Sequence, residues 1–184
     1  MANNMIEIKN NIATIERIFN QWNGILGGDY LAYKNHVYRV YHFCLALNPP
    51  QSTDNMIFAI AASFHDIGIW ANKTFDYLQP STELAGAHLK DISKTEWLRE
   101  VELMIYYHHK ITTYNNSKYP LVEVFRRADW IDVSKGKRSF GVAKNDINAI
   151  INAFPNHGFH QKLVRLTFTE FKKRPFKPLP MMKW

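Results

Sequence analysis

The stretch Ala62-Ser63-Phe64-His65-Asp66-Ile67-Gly68-Ile69-Trp70 places a histidine and an aspartate side by side at the end of an apolar run, residues 56–62. Burying a carboxylate next to apolar residues costs several kcal/mol unless the charge is paired or bound to a metal. A glycine directly after the pair is typical of a helix C-terminus, where the chain turns through a left-handed conformation. We therefore predict that His65 and Asp66 lie on the last turn of a buried helix and face a cleft. On this stretch alone, a helix cap or a surface ion pair stays open as the simpler interpretation.

The composition is that of a soluble globular protein of one domain, with 184 residues, 46% of them hydrophobic and 21% charged. No apolar run approaches the roughly 20 residues that span a bilayer, and the first residues lack the pattern of a secretory signal. The single cysteine, Cys44, excludes an internal disulfide framework and suits a reducing compartment. We therefore expect a cytoplasmic protein without a membrane segment.

The net charge of +7 is compatible with a nucleic-acid partner, with an anionic small-molecule substrate, or with no functional meaning. The basic residues are scattered apart from three short groups, and neither a zinc-finger spacing nor an RNA-binding motif is present. This distribution favours an anionic small-molecule substrate over the reading of a specific nucleic-acid sequence.

Apolar residues recur at spacings of three and four along most of the chain, which predicts amphipathic helices. Ser93 and Glu96 have the spacing of a capping box. Alternating patterns typical of strands, internal repeats and low-complexity tracts are all missing from the sequence. The prediction is an all-α, single-domain helical bundle over residues 1–184, with helices near 5–22, 30–41, 52–66, 81–89, 97–109, 120–132, 142–154 and 159–172.

Histidines and aspartates gather at the ends of these predicted helices. Imidazole and carboxylate are suitable ligands for zinc, iron and manganese, and a helical bundle can collect them from different helices into one site. For any single histidine, a hydrogen-bonded core or surface residue is the simpler interpretation. Their recurrence on successive helices favours a metal site, with the candidates His36, His65, Asp66, His88, His108, His109 and Asp129.

The order His36, His65-Asp66, Asp129 resembles the HD-domain superfamily of metal-dependent phosphohydrolases. Supporting details are Asn35-His36-x-x-Arg39-Val40, the His-Asp-Ile-Gly sequence at 65–68 and Arg127-Ala128-Asp129 near the end of a later helix. The resemblance covers about residues 30–135, and the C-terminal helices and an irregular tail, 136–184, follow it. It implies a bundle of the HD-domain type in which His36, His65, Asp66 and Asp129 bind a first divalent metal ion.

His88 and the His108-His109 pair resemble the additional ligands of the dinuclear branch, which includes cyclic-dinucleotide phosphodiesterases of the HD-GYP type. The resemblance then implies two ions per chain, drawn from manganese, iron, zinc, magnesium or nickel, with Asp66 bridging them. Neighbouring helical residues point about 100° apart. Both His108 and His109 therefore ligate only if the helix ends or distorts there; otherwise one ligates, with His108 favoured, and the other meets the substrate.

Some features of the dinuclear and mononuclear branches are missing. The cyclic-dinucleotide enzymes carry a lysine directly after His-Asp-Ile-Gly, where this chain has Ile69, and the Gly-Tyr-Pro signature is absent from the sequence. The nucleotidase-like branch often has an acid a few residues later, where this chain reads Trp70-Ala71-Asn72. These departures concern the substrate more than the metal. The substrate class implied by the superfamily resemblance is a nucleotide or another small phosphorylated metabolite.

The resemblance predicts hydrolysis of a phosphate ester by a metal-activated hydroxide. Asp66 would set the charge and geometry of the metals. Arg39, one turn after His36, and Lys110, directly after the histidine pair, are the candidate cations for the phosphate, with Lys135 and Lys137 on the loop after residue 132 as further candidates. For each of these cations, a solvated surface charge is the alternative interpretation.

Two other classes of function remain open. Some HD-fold enzymes hold two irons with a similar set of four histidines and two aspartates and activate oxygen on a small organic substrate. A non-catalytic helical binding module is the other class, although a full ligand set argues against it because buried polar groups are costly. The apolar C-terminal tail, 181–184, is expected to pack either on a partner subunit, as in a homodimer, or on its own body.

Overall fold

The computed structural model describes residues 6–48, 52–176 and 179–183. Within these ranges the chain is helical and contains no strand, only an isolated bridge between Lys110 and Lys183. The all-α prediction is therefore confirmed. The α-helices are α1 Ala13–Leu26, α2 Tyr30–Leu47, α3 Ser52–Phe64, α4 Gly68–Ala71, α5 Leu78–Asp91, α6 Leu98–Tyr107, α7 Leu121–Val133, α8 Lys144–Ala153 and α9 Phe159–Lys173, with 3-10 turns at Gly27–Asp29 and Thr95–Trp97.

Helix α2 runs through the centre of the bundle. It is apolar around most of its circumference and is buried at nearly every position from Ala32 to Cys44, as expected for a helix enclosed on all sides. Helices α7, α3, α8 and α1 pack around it, with α7 as its most extensive neighbour. His36 and Arg39 lie one turn apart in this buried stretch, so both side chains must find polar partners inside the protein.

The N-terminal helix is shorter than predicted. The periodicity predicted a helix over 5–22, whereas α1 begins at Ala13 and continues to Leu26; residue 5 lies outside the described residues. The preceding segment is held to the bundle by side chains of α2, since the Lys9 amide donates to His42 Nε2 at 3.0 Å and the Ile12 amide donates to the Tyr38 hydroxyl at 3.0 Å. These bonds replace the intrahelical bonds that a longer helix would have formed.

Gly68 has a different role from the predicted left-handed helix end. Helix α3 ends at Phe64, and Gly68 is the first residue of α4. A Cβ atom on Gly68 would lie 2.8 Å from the Tyr77 carbonyl oxygen, and the Gly68 amide donates to Ser81 Oγ at 3.0 Å. The glycine therefore permits close packing of α4 against the start of α5, and the turn between α3 and α4 carries residues 65–67.

Helix α6 ends at Tyr107, so His108 and His109 lie in the turn after it. The predicted capping box at Ser93 and Glu96 is wrong: Ser93 has a left-handed backbone with φ of 56°, and α6 begins only at Leu98, after a 3-10 turn. The predictions for α8 and α9 are confirmed to within two residues.

The C-terminal tail folds back onto its own chain. The Ile111 amide donates to the Lys183 carbonyl at 2.9 Å, and Met181 is buried. Of the two expectations for the tail, packing on its own body is the one seen up to Lys183; Trp184 lies outside the described residues, and a homodimer remains a prediction. In the described ranges, no helix combines the length and the apolar character needed to cross a membrane.

Candidate metal centre

Six histidines and aspartates meet where four helices approach one another. All are buried except His109, whose side chain is 14% exposed. They come from the middle of α2, the turn between α3 and α4, the turn after α6 and the C-terminal half of α7: His36, His65, Asp66, His108, His109 and Asp129.

A first group consists of His36, His65 and Asp66, whose ligand atoms lie close enough together to hold one metal ion. The two Nε2 atoms of His36 and His65 are 2.9 Å apart. Asp66 Oδ2 is 3.7 Å from His36 Nε2 and 3.5 Å from His65 Nε2. Three donors of the types preferred by zinc, iron and manganese therefore converge on one point.

The hydrogen bonds on the far side of each ring assign the tautomers of these histidines. His36 Nδ1 lies 2.6 Å from Asp132 Oδ2, His65 Nδ1 lies 2.7 Å from the Ala62 carbonyl, and His108 Nδ1 lies 2.6 Å from a carbonyl one turn earlier. Each Nδ1 therefore donates, which leaves a lone pair on each Nε2. Two such lone pairs facing each other at 2.9 Å form no hydrogen bond, whereas a cation between them binds both.

A second group consists of Asp66, His108 and His109. His108 Nε2 lies 3.5 Å from Asp66 Oδ1, and His109 Nδ1 lies 3.5 Å from Asp129 Oδ2. Asp129 Oδ1 lies 3.7 Å from His36 Nε2 in the first group. Each of the two aspartates thus presents one oxygen to each group, which is the placement that a bridging carboxylate requires. Both histidines of the pair face the centre because α6 has already ended.

Several of these atoms lack a partner inside the described part of the chain. Asp66 Oδ1, His108 Nε2 and both carboxylate oxygens of Asp129 are buried and accept or donate no hydrogen bond there. Leaving buried polar atoms unsatisfied is expensive, and a metal ion supplies the missing interactions. The donor set therefore fits a metal ion.

Burial sets the protonation of the centre. It lowers the pKa of His65 to about 3, so this imidazole is neutral at physiological pH, as a metal ligand must be. Burial raises the pKa of Asp129 to about 7, against the opposing influence of the His108 and His36 rings. For Asp66, burial is outweighed by the neighbouring imidazoles of His65 and His108, which hold its pKa below the usual value. A bound cation would favour the charged form of both carboxylates.

Arg39 lies behind the centre and does not face it. Its Nε donates to Asp132 Oδ1 at 2.5 Å, its Nη2 to Asp132 Oδ2 at 3.0 Å, and its Nη1 to the Phe154 carbonyl at 2.8 Å. Asp132 in turn accepts from His36 Nδ1. The arginine expected to bind a substrate phosphate is therefore engaged as the partner of a carboxylate that orients His36, a candidate metal ligand.

Sequence reasoning missed two residues of the site. Asp132 follows Asp129 by three positions and so lies on the same helical face, a spacing that could have identified it. Tyr77 precedes α5, and its hydroxyl lies 2.8 Å from His109 Nε2. No pattern around Tyr77 marks this role, because it depends on the packing of α5 against α6.

His88 and Lys110 are placed differently from the cluster. The His88 ring packs against Phe64, with ring centroids 5.2 Å apart, and belongs to neither metal group. It occupies the last turn of α5, where Arg17 and Asp91 are its charged neighbours. The Lys110 ammonium lies 2.5 Å from a threonine hydroxyl at the surface, and its part in binding a substrate stays a prediction.

Comparison with protein-family models, with curated proteins and with solved structures found no significant match. The buried histidine and aspartate groups could hold a metal, and they are compatible with an HD-like site in an all-helical protein.

Proposed function

We propose that this protein is a metal-dependent phosphohydrolase that acts on a phosphate ester of a nucleotide or another small metabolite. The observation that carries the proposal is the convergence of Nε2 lone pairs and unpartnered carboxylate oxygens on one buried point. The resemblance of the order His36, His65-Asp66, Asp129 to the HD-domain superfamily supplies the reaction class.

Divalent cations held by these residues would supply Lewis acidity toward a phosphoryl oxygen and toward the attacking water. His36, His65 and Asp66 would hold one ion; Asp66, His108 and His109 would hold the other. Asp129 faces both groups. Asp132 fixes the orientation of the His36 ring, and Tyr77 fixes that of His109.

The substrate is proposed to enter beside His109. The side chain of His109 is 14% exposed, whereas His36, His65, Asp66, His108 and Asp129 are at most 3% exposed. Lys110 follows His109 directly and keeps its proposed part as a cation for the phosphate. Deep burial of the reacting centre strengthens electrostatic interactions there.

An oxygenase is the second candidate, because the cluster contains four histidines and two aspartates: His36, His65, His108, His109, Asp66 and Asp129. This composition is similar to that of HD-fold di-iron oxygenases. Iron as the native metal, together with oxygen consumption on an organic substrate, would favour this candidate over hydrolysis.

The test measures metal content by elemental analysis of protein purified without a metal-binding tag, together with hydrolysis of p-nitrophenyl phosphate and a panel of nucleotides. We expect about two equivalents of metal per chain. Asp66→Ala should lose metal from both groups and should lose activity. His88→Ala is the matched control and should retain both, because His88 lies outside the groups.

Two results would contradict the proposal. Protein that takes up no metal after incubation with manganese, zinc or iron would overturn the proposal that the protein is a metalloenzyme. Protein that binds metal at Asp66 but hydrolyses no phosphate ester would support a metal centre and contradict the proposed phosphohydrolase activity.

A further inference from the structure

A cavity of about 380 Å³ lies behind the metal centre. Arg39 and Asp132 line it, together with Lys135, from the loop after α7, and His160 and Gln161, from the first turn of α9. His36 faces Asp132 with Nδ1 and faces the cluster with Nε2. The His36 ring and the Asp132 carboxylate therefore separate this cavity from the metal groups.

His160 brings an unpartnered donor to the cavity. Its backbone amide donates to Asn156 Oδ1 at 3.3 Å, which turns the Asn156 amide nitrogen toward His160 Nδ1, and that nitrogen donates to the ring. The ring hydrogen is consequently on Nε2. This atom is buried and has no hydrogen-bond partner in the described residues; Asp132 Oδ2 is 3.7 Å away, beyond hydrogen-bond distance.

Asp132 is already satisfied by other donors. Its two oxygens accept three hydrogen bonds, two from Arg39 and one from His36. Its charge is offset by the guanidinium, so the acidic residue in the lining attracts a further cation only weakly. What remains is the positive charge of Lys135, the N–H of His160 and the amide of Gln161. The lining therefore offers donors to an acceptor-rich, negatively charged ligand.

The neighbouring surface extends this positive character. Lys135, His160 and Gln161 also line an adjoining cavity that includes Arg165. Helix α9, with 15 residues, begins at this wall, and its N-terminus adds a partial positive charge. A ligand that enters past Lys135 thus meets donors on several sides.

We propose that this cavity binds a phosphate-sized oxyanion, as a site separate from the metal-bound substrate. His160 Nε2 and the Gln161 amide donate to its oxygens, and Lys135 closes the site from the rim. The occupant lies against the Arg39–Asp132 pair, which holds His36, so its binding is transmitted to a metal ligand through one carboxylate. The proposal does not depend on the phosphohydrolase, since none of its donors is a metal ligand.

The test titrates inorganic phosphate into the full-length protein by isothermal calorimetry. His160→Phe keeps a ring of similar size but removes the donor, and Lys135→Asn removes the cation with a residue that tolerates the left-handed backbone at this position, φ 54°. Each should weaken phosphate binding by about tenfold or more, the loss expected for one hydrogen bond or contact to a charged group. Lys137→Ala, on the same loop but outside the lining, is the matched control and should bind as the wild type does.

The variant Asp66→Ala distinguishes this cavity from the metal centre. Phosphate binding that persists in Asp66→Ala and weakens in His160→Phe and Lys135→Asn supports the site, whatever the reaction catalysed. Binding that is lost in Asp66→Ala and unchanged in the two cavity variants places phosphate on the metals and overturns the proposal. Absence of phosphate binding to the wild type at millimolar concentration overturns it as well.

Discussion

Asp132 is the residue through which the polar interior of the bundle is connected. One of its oxygens accepts from His36, and both accept from Arg39, so a candidate metal ligand and a buried guanidinium depend on one carboxylate. Burial opposes its ionisation, but Arg39 and His36 hold its pKa well below the usual value. Its carboxylate is therefore ionised at neutral pH.

Replacing Asp132 by asparagine is expected to weaken metal binding. A neutral amide orients the His36 ring less strongly, and loss of such a partner typically lowers metal affinity by roughly 10- to 100-fold. The measurement is competition with a chelator of known affinity. Asp76→Asn, at an exposed position, is the control.

The same substitution leaves Arg39 buried without a carboxylate, which costs about 3–5 kcal/mol. The double variant Arg39→Met/Asp132→Asn removes both charges and should recover much of this stability without recovering metal affinity. Normal metal affinity in the folded double variant would show that Asp132 does not orient His36.

His42 is expected to make the protein sensitive to acid at a position away from the cluster. It is fully buried; its Nδ1 donates to the Tyr38 carbonyl and its Nε2 accepts from the Lys9 amide. Burial lowers its pKa. The unfolded chain takes up a proton on His42 near pH 6.5, while the folded chain does not. The stability that neutral His42 contributes is therefore fully present above about pH 6.5 and declines as the pH falls below it.

We expect His42→Gln to show a smaller loss of stability between about pH 7 and about pH 5 than the wild type, by up to about 1.4 kcal/mol per pH unit. Urea unfolding at the two pH values measures the difference. Equal losses in the two proteins would mean that the folded chain protonates His42 as readily as the unfolded chain does.

At the level of secondary structure, the centre depends on where helices end. Helix α3 ends at Phe64 and α6 ends at Tyr107, and the turns that follow allow neighbouring residues to face the same point. The Asp66 amide donates to the Tyr33 hydroxyl at 3.3 Å, and that hydroxyl donates to the Ser63 carbonyl at 2.9 Å, which fixes the first turn against α2. A continuous helix would have directed the paired ligands about 100° apart.

Gly68→Ala is expected to disturb this arrangement. A Cβ atom would lie 2.8 Å from the Tyr77 carbonyl oxygen, a backbone atom that cannot move aside without shifting the start of α5. Overpacking of this kind costs about 1–3 kcal/mol, and the displaced segments carry Asp66 and Tyr77. The Tm of thermal unfolding and the metal content should both fall.

Gly86→Ala is the matched control for this substitution. Gly86 lies inside α5, and its added Cβ would meet only Leu98 Cδ2 at an ordinary 3.5 Å. Alanine in a helix interior is favoured over glycine by about 1 kcal/mol, so the control should be at least as stable as the wild type. Equal changes in stability for the two substitutions would show that the close approach to Tyr77 is not the reason why position 68 requires a glycine.

For the whole molecule, folding and metal binding are expected to be coupled. The centre sits where α2, α3, α6 and α7 meet, and its unsatisfied carboxylates and imidazoles destabilise the metal-free protein. A metal that binds only the folded chain stabilises it by about 2.7 kcal/mol at a free concentration 100 times its Kd. For a protein of 184 residues, this corresponds to a rise in Tm of roughly 5–10 °C.

Differential scanning calorimetry of chelator-treated protein, with and without added manganese or zinc, measures the shift. Asp66→Ala should abolish it, and His88→Ala should leave it intact. A shift of the same size in Asp66→Ala would place the stabilising metal elsewhere in the protein.

The sequence by itself determined the helical class and the types of side chain that could bind a metal. Apolar spacings of three and four residues indicate a helix with one buried face, whichever helices pack against that face. These spacings identified most of the helices seen. The apolar run before His65 and Asp66 made the burial of this pair predictable, and burial of such groups demands a chemical reason.

Only the tertiary structure decided how each polar group is used. Arg39 and His36 are one turn apart on α2, yet the guanidinium meets Asp132 while the imidazole also reaches the centre. His88 lies outside the candidate metal centre and His109 lies inside it because of how α5 and α6 pack and where α6 ends. These outcomes depend on distances between segments far apart in the chain, which no local pattern encodes.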